Sequence, residues 1–221
     1  FGFQPEGFRH LKQHVMDLDP TVLFVCYGGN ESFAGESGLP AFRKNLDVLL
    51  DVLDGTGARI VLVSPQKQEA LGGKLPDPAA HNRDLALYGD VLRAAAVRRG
   101  YWYLDLFSLL PMKDTLESEN PPLTYNSLHL TPEGYRAAAD VVARKLGIAQ
   151  PDWDAIEGLR SMVVAKNALF FHRWRPQNET YLTLFRKHEQ GNNYREIPQF
   201  DPLIKEAEDR IAEETARTVR P

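Results

Sequence analysis

The stretch Thr21 to Glu31, TVLFVCYGGNE, decides how the chain folds. Its apolar run from Thr21 to Tyr27 is rich in β-branched and aromatic side chains, which is typical of a strand buried on both faces. The run ends at Gly28, where a turn-forming sequence begins. We therefore expect a buried strand that delivers a glycine-containing loop to the end of a sheet.

Helices and strands alternate on either side of this stretch. The apolar spacing predicts helices at residues 5–17, 39–54, 82–99 and 131–146, and further strands at 59–63 and 101–106. Such alternation predicts a parallel sheet with helices covering both faces. Residues 64–78 contain glycines and prolines without periodicity, so we expect a long loop there. Because the first strand is so apolar, we also expect further strands amino-terminal to it, lost from this chain.

A second distinctive stretch, Asn126 to Tyr135 (NSLHLTPEGY), joins a loop to a helix. Thr131 is suited to cap this helix, and Pro132 fits its first position. The residues at core spacing along the helix are Tyr135, Ala138, Val142 and Leu146. His129 lies immediately before the helix, at the exit of the loop. Taken alone, a buried histidine beside a cap is the commoner case, but a loop on a rigid scaffold also suits a proton-transferring side chain.

The two stretches belong together if the sheet is parallel. Both then lie at the rim where the carboxyl ends of the strands meet and where ligands bind. The amide of Asn30 can donate a hydrogen bond to an oxyanion, and Gly28 and Gly29 let the backbone approach a substrate. His129 can take and return a proton. An oxyanion donor and a proton-transferring base are two of the parts that acyl transfer requires.

Both stretches resemble motifs of the SGNH, or GDSL-type, hydrolase family, over roughly residues 5 to 148. The third family block, Gly-x-Asn-Asp, and the fifth, Asp-x-x-His, correspond here to Gly28, Asn30 and Glu31, and to Asn126 and His129. The resemblance implies a flavodoxin-like fold with three layers. It also implies that Asn30 donates to the oxyanion and that His129 is the general base.

Two departures from the family pattern bear on the mechanism. Glu31 replaces an aspartate, and we expect its carboxylate to hydrogen-bond the loop rather than react. Asn126 replaces the aspartate that orients the imidazole in the family. A neutral amide can still accept the imidazole N–H, although the Asp-to-Asn change in a serine protease costs about 10⁴-fold in turnover. The alternatives are that a backbone carbonyl or another acid, Asp114 or Glu117, holds His129, or that activity is low.

The nucleophilic serine of the family, in a Gly-Asp-Ser block after the first strand, has no counterpart in this chain. We interpret the loop serines as ordinary turn residues, namely Ser32, Ser37, Ser64 and Ser127. The resemblance therefore implies a serine ester hydrolase for a short acyl or acetyl ester of a carbohydrate or small molecule. Its nucleophile would come from a segment outside this chain. The alternative is a non-catalytic glycan-binding module or pseudoenzyme on the same fold.

Composition excludes several classes of partner. The net charge of -4, from 26 basic and 30 acidic side chains, provides no electrostatic footprint for nucleic acid. No stretch approaches the length of an apolar membrane span. Cys26 is the single cysteine, which excludes an intrachain disulfide, and we expect it in the core. His10 and His14 have helical spacing but lack a third metal ligand. We expect neither metal nor cofactor, and the compartment stays open, with export or a periplasmic location compatible.

The carboxyl-terminal region has a different character. We expect helices at residues 153–168 and 202–219, with a dense mixture of aromatic, basic and amide side chains between them. The second of these helices carries a thin apolar stripe of Leu203, Ala207 and Ile211. The segment from Phe170 to Asn178 suits either a sugar-stacking platform or a clamp on the core, and the clamp is favoured. We therefore divide the chain into an SGNH-like core, 1–148, and an extension, 149–221, that packs on the core or supports a homo-oligomer.

Overall fold

A computed structural model describes residues 5–150, 152–175, 179–190 and 193–218. The chain divides into two compact units, Phe1–Ala149 and Gln150–Pro221. Among the described residues, no helix combines the length and apolar character that crossing a membrane requires.

The first unit alternates helices and strands as the apolar spacing predicts. Its elements are α1 (Pro5–Asp17), β1 (Val22–Val25), α2 (Leu39–Asp54), β2 (Arg59–Val63), α3 (Ala79–Arg99), β3 (Trp102–Leu104), α4 (Leu106–Leu109) and α5 (Pro132–Lys145). The strands form a parallel sheet in the order β1-β2-β3. Phe24 pairs with Val61, and Val61 with Trp102, so these three residues form one row across the sheet.

Helices cover both faces of this sheet. On one face, α1, α2 and α3 pack on the strands through a core that includes Leu50, Leu62 and Leu92. On the other face, α4, α5 and the chain between them pack through a second core, which includes Val63 and Val141. The three-layer α/β architecture expected from the sequence is therefore confirmed.

The first strand is less buried than its sequence predicts. Only Val25 of β1 is buried, whereas Phe24 is 48% exposed. The reason is position, because β1 is at the edge of the sheet and β2 lies between its two neighbours. Four of the five residues of β2 are buried. The prediction of a strand buried on both faces is wrong for β1 and describes β2.

The helix that follows the histidine loop is also placed as predicted, but its inward face differs. Thr131 caps α5 by accepting a hydrogen bond from the Gly134 N–H at 3.1 Å. Gly134 and Val141 are the buried residues of the helix. Tyr135, predicted to face the core, is 66% exposed. The true inward face is offset by one residue because Gly134 lies against the Leu123 carbonyl.

The second unit is built on a helix pair. Its helices are α6 (Glu157–Trp174), α7 (Glu179–Leu182) and α8 (Phe200–Thr218), with short 3-10 turns between α7 and α8. The least exposed face of α8 is formed by Ile204, Ala207, Ile211, Glu214 and Thr218. Leu203, which the sequence suggested for this face, is 47% exposed.

Aromatic and basic side chains hold these two helices together. Arg173 donates from Nε to Asp201 at 2.6 Å, and its guanidinium lies 4.7 Å from the Trp174 ring centroid. The His172 and Phe200 rings stack at 5.8 Å. Within Phe170–Asn178, residues 176–178 lie outside the described residues. The described part of that segment joins α6 to α8.

Candidate active site

The first site loop follows β1 and begins with a left-handed glycine. Gly28 has φ +102°, and a Cβ at this position would lie 3.4 Å from the Tyr88 side chain and 3.5 Å from the Phe42 side chain. Its N–H donates to the Glu31 carboxylate at 2.8 Å, which is the loop-holding role expected for Glu31. The N–H of Gly28 is thus already engaged, whereas Asn30 is exposed at the head of the turn.

A histidine that the sequence analysis did not single out secures this loop. The Ser32 hydroxyl donates to the Gly29 carbonyl at 2.7 Å, and His81 Nε2 lies 2.8 Å from the same hydroxyl. Because Ser32 has one hydroxyl hydrogen, His81 must be the donor and carries its proton on Nε2. Burial, opposed by the charge of Asp84, lowers the pKa of His81, which keeps the ring neutral.

His81 is poorly placed to act as a base. Its Nε2 proton is used by Ser32, and its Nδ1 is buried without a hydrogen-bond partner in the described part of the chain. The ring packs on Phe33, with 4.0 Å between the ring centroids. His81 therefore joins α3 to the first loop and has no accessible lone pair.

The second site loop is a tight turn closed by backbone hydrogen bonds. Thr124 and Leu130 form an isolated antiparallel bridge. The Thr131 N–H donates to the Leu123 carbonyl at 2.8 Å, and the Tyr125 N–H to the His129 carbonyl at 2.9 Å. We call residues 123–125 and 130–131 the stem of this loop and residues 126–129 its tip, which contains Asn126 and His129.

Asn126 and His129 contact each other at this tip. The Asn126 Oδ1 accepts the backbone N–H of His129 at 2.9 Å, and it lies 3.1 Å from His129 Nδ1. Both side chains are exposed. The sequence left open whether another acid holds the imidazole, but Asp114 instead pairs with Lys67 at 2.8 Å.

This contact selects one tautomer of His129. The backbone N–H requires an acceptor, so the Asn126 amide must present its oxygen rather than its nitrogen. An oxygen facing the ring requires a hydrogen on Nδ1. Nε2 of the neutral imidazole then carries a lone pair, which is the form a general base needs.

A buried glutamate, also missed by the sequence analysis, supports the same loop. Glu69 is 0% exposed, and its carboxylate accepts the Leu123 N–H at 3.0 Å and the Thr124 hydroxyl at 2.5 Å. Its backbone carbonyl accepts the Ser127 hydroxyl at 2.7 Å. The predicted long loop at residues 64–78 therefore reaches into the histidine loop.

A cavity of about 280 Å³ lies at the carboxyl ends of the strands. It is lined by Cys26, Tyr27 and Gly29 after β1, by Ser64, Pro65 and Gln66 after β2, and by His81, Leu106 and Leu128 among others. Gly29 and Leu128, the neighbours of Asn30 and His129, thus meet in one cavity. The Gln66 side chain connects the chain after β2 to the histidine loop by donating a hydrogen bond to the Leu128 carbonyl at 2.6 Å.

Cys26 lies in this cavity wall rather than in the core. It is exposed, which corrects the expectation of a core residue. The reason is again the position of β1 at the sheet edge. Partial burial raises the pKa of the Cys26 thiol, so the thiol is held in its neutral form.

The loop serines are all occupied by hydrogen bonds to the backbone. Ser127 is 7% exposed with φ +72°, and Ser32 and Ser64 are almost fully buried. The Ser64 hydroxyl accepts the Phe107 N–H at 2.9 Å, and the Ser37 hydroxyl donates to the Ala34 carbonyl at 2.9 Å. These contacts are those of turn and capping residues.

Metal ligands are not clustered in the described part of the chain. None of its His, Cys, Asp and Glu side chains forms a group of three that could hold a metal ion. The His10 side chain lies outside the described residues.

Comparisons with known proteins bear on the family and the fold. Residues 5–137 match the model of the GDSL-like lipase/acylhydrolase family. A search of curated proteins finds no match. A catalytic mutant of an acetylxylan esterase from Geobacillus stearothermophilus has a similar fold, with a TM-score of 0.50 and 17% identity over 64% of this chain and 68% of the esterase.

Two further solved structures match with TM-scores below 0.5. A gut microbial diltiazem-metabolizing enzyme gives a TM-score of 0.49 at 17% identity, over 63% of this chain and 36% of that one. A peptidoglycan O-acetylesterase gives 0.43 at 16% identity, over 62% and 43%.

Proposed function

The chain belongs to the GDSL-like lipase/acylhydrolase family, and we propose that it provides the base and the oxyanion donor of an ester hydrolase. The observation that carries this proposal is the 3.1 Å contact between His129 Nδ1 and Asn126 Oδ1. It leaves Nε2 of His129 as an exposed proton acceptor on a loop that borders the cavity.

The proposed reaction is a two-step acyl transfer. A serine hydroxyl, supplied by a segment outside residues 1–221, loses its proton to His129 Nε2 as its oxygen attacks the ester carbonyl carbon. The carbonyl oxygen becomes an oxyanion, which the Asn30 amide stabilises. His129 then protonates the departing alcohol. Water attacks the acyl-enzyme in the same way, which releases the acid and restores the serine.

The residues around the first loop have distinct parts in this scheme. Gly29 lines the cavity, so its backbone can approach the substrate closely. Gly28 and Glu31 hold the turn that presents Asn30. Asn126 orients the imidazole but adds no charge to stabilise its protonated form. The mechanism requires neither a metal nor an organic cofactor.

We infer a short acyl or acetyl ester of a carbohydrate or similar small molecule as substrate. The cavity of about 280 Å³ suits a small group rather than a polymer core. Acetylated xylo-oligosaccharides are the first compounds to assay, because an acetylxylan esterase shares the fold. The net charge of -4 does not favour a polyanionic substrate.

A fluorophosphonate probe tests the nucleophile and the base together. In the complete protein it should label one serine outside residues 1–221, and His129→Ala should abolish the labelling. Residues 1–221 expressed alone should remain unlabelled, because Ser32, Ser64 and Ser127 are engaged. Absence of any labelled serine in the complete protein would sink the proposal.

A non-catalytic glycan-binding module is the second candidate. The observation that favours it is the neutral Asn126 in contact with His129, since an uncharged partner stabilises an imidazolium less than an acid does. This candidate predicts glycan binding that survives His129→Ala, with no ester turnover by the intact protein. Isothermal titration with xylo-oligosaccharides separates the two candidates.

A further inference from the structure

Glu69 is a buried carboxylate in an unusual position. It lies in the loop after β2 and is 0% exposed, although transferring an ion from water to a protein interior is costly unless hydrogen bonds compensate. Its oxygens accept the backbone N–H of Lys113 at 3.2 Å, the N–H of Leu123 at 3.0 Å and the hydroxyl of Thr124 at 2.5 Å. The carboxylate is therefore satisfied chiefly by the stem of the histidine loop.

The backbone of the same residue holds the tip of that loop. The Glu69 N–H donates to the Ser127 carbonyl at 3.0 Å, and the Glu69 carbonyl accepts the Ser127 hydroxyl at 2.7 Å. Ser127 is 7% exposed, so this pair of hydrogen bonds is largely shielded from water. One residue thus contacts both the stem and the tip of the loop.

The tip needs such support because its backbone is strained. Ser127 has φ +72°, a left-handed conformation that is unfavourable for a non-glycine residue. This turn brings Asn126 Oδ1 to the N–H and the imidazole of His129. If the turn relaxes, the contact that fixes the His129 tautomer is lost.

The loop that carries Glu69 is itself anchored to α3. The Asn82 side chain accepts the Gln68 N–H at 2.8 Å and donates to the Gln68 carbonyl at 2.9 Å. Gln68 directly precedes Glu69, so the position of Glu69 is fixed by a helix that packs on the sheet. Hydrogen bonds therefore connect α3, through residues 68 and 69, to the loop that carries His129.

From these contacts we propose that Glu69 is a positioning residue for His129. It fixes the stem of the histidine loop through its carboxylate and the tip through its backbone, and so keeps His129 Nε2 available as a base. The catalytic part of this inference, that Glu69 keeps His129 available as a base, rests on the proposed function. The structural part concerns only the order of residues 123–131.

The test compares three variants of the complete protein. Glu69→Ala removes all three side-chain acceptor contacts, so kcat should fall at least about tenfold while KM changes less than twofold, because base orientation rather than binding is lost. Glu69→Gln keeps one acceptor oxygen and can donate to the Thr124 hydroxyl, so it should recover much of kcat. Ser127→Ala removes one tip contact and should give an intermediate kcat.

Arg99→Ala serves as the matched control for general destabilisation. Arg99 forms ion pairs with Asp47, Asp51 and Asp54 at the end of α3, remote from the carboxyl ends of the strands. This variant should lose stability and keep kcat. If Glu69→Ala and Arg99→Ala reduce kcat equally at equal stability, Glu69 is merely structural and the proposal fails.

Hydrogen–deuterium exchange gives a readout that does not depend on activity. In Glu69→Ala and Ser127→Ala, a peptide covering residues 123–131 should exchange faster, while β2 peptides keep wild-type protection. Unchanged protection of residues 123–131 in both variants would overturn the proposal. If the wild-type protein lacks esterase activity but the exchange result holds, the proposed function fails and the positioning role stands.

Should Glu69→Ala fail to fold, Glu69→Gln and Ser127→Ala still decide the matter. Each leaves most of the network in place, and each should show faster exchange in residues 123–131 in proportion to the contacts it loses. Wild-type kcat and wild-type exchange in both variants would refute the positioning role.

Discussion

Asn126 holds His129 with a neutral oxygen whose orientation is fixed by the backbone. In a triad protease, the Asp-to-Asn change costs about 10⁴-fold in turnover because the wrong tautomer results. Here the same Asn126 oxygen also accepts the His129 N–H at 2.9 Å, so the productive tautomer is retained. The remaining deficit is the missing negative charge beside a protonated imidazole.

Two substitutions at Asn126 should therefore change turnover in opposite directions. Asn126→Asp keeps the acceptor and adds charge, and we expect kcat to rise about 10- to 100-fold. Asn126→Leu removes the acceptor, and we expect kcat to fall by about 100-fold or more. Steady-state kinetics with 4-nitrophenyl acetate on the complete protein measures both. Equal kcat in the wild type and Asn126→Leu would show that this contact does not orient the base.

His81 gives the molecule a specific pH dependence. Its pKa is lowered from 6.5 by burial, with Asp84 opposing. Below 6.5 the unfolded chain therefore binds a proton that the folded chain does not, and the free energy of unfolding falls as pH decreases towards the folded pKa. His81→Gln removes this titration, so its stability should decrease less than that of the wild type between about pH 7.5 and pH 5.5.

Denaturant unfolding at several pH values measures the difference between the two proteins. His188→Gln, the same substitution at an exposed position in the second unit, is the control and should follow the wild type. Parallel pH curves for the wild type and His81→Gln would contradict the assignment of a buried, neutral His81.

At the scale of single elements, local signals predict helices well and strand burial poorly. Residues 5–17 and the start of α5 follow from apolar spacing and from the Thr131-Pro132 cap, all of which are local in sequence. The seven-residue apolar run of β1 predicts neighbouring strands on both sides, but among the described residues β1 pairs with β2 alone. Phe24 is therefore exposed although its sequence suggests a core residue.

Gly134 shows how closely α5 approaches the histidine loop. A Cβ at this position would lie 2.1 Å from the Leu123 carbonyl oxygen and 3.0 Å from a Leu130 methyl. Gly134→Ala should displace the stem of the loop and reduce the free energy of unfolding by about 1–3 kcal/mol. It should also lower kcat, because Leu123 is held by Glu69.

Gly158→Ala in α6 is the matched control, because nothing lies within 4 Å of its added Cβ. Gly158 is the second residue of α6, and alanine is a better helix former than glycine, so this variant should be at least as stable as the wild type. Thermal unfolding of the two variants compares them. A Gly134→Ala protein of wild-type stability would show that the loop accommodates the methyl group freely.

At the scale of the whole molecule, the sequence points to the proposed site residues more readily than to the residues that hold them in place. Asn30 and His129 stand out because residue type and order carry the resemblance. Glu69 does not, since its partners Lys113, Leu123 and Thr124 are 44, 54 and 55 residues away in the chain. Only the folded sheet brings the two loops together, so a glutamate in a loop of glycines and prolines looks like a solvated rim residue.

The chain between the two units should be the first site of proteolysis. The units Phe1–Ala149 and Gln150–Pro221 are joined through residues 147–150, which lie outside the helices and are exposed. Exposed segments between compact units are the preferred sites of proteolytic nicking. A limited digest with elastase should therefore cut first near Ala149, as mass spectrometry of the fragments will show.

The alternative first cut is the exposed part of the chain between β3 and α5, around residues 115–122. That region begins and ends at backbone groups held by Glu69, since the Lys113 and Leu123 N–H groups both donate to its carboxylate. It should therefore be cut later than the junction in the wild type. In Glu69→Ala the order should reverse, because the stem loses both contacts while residues 147–150 are unchanged. An unchanged order of cleavage would show that Glu69 does not restrain this part of the chain.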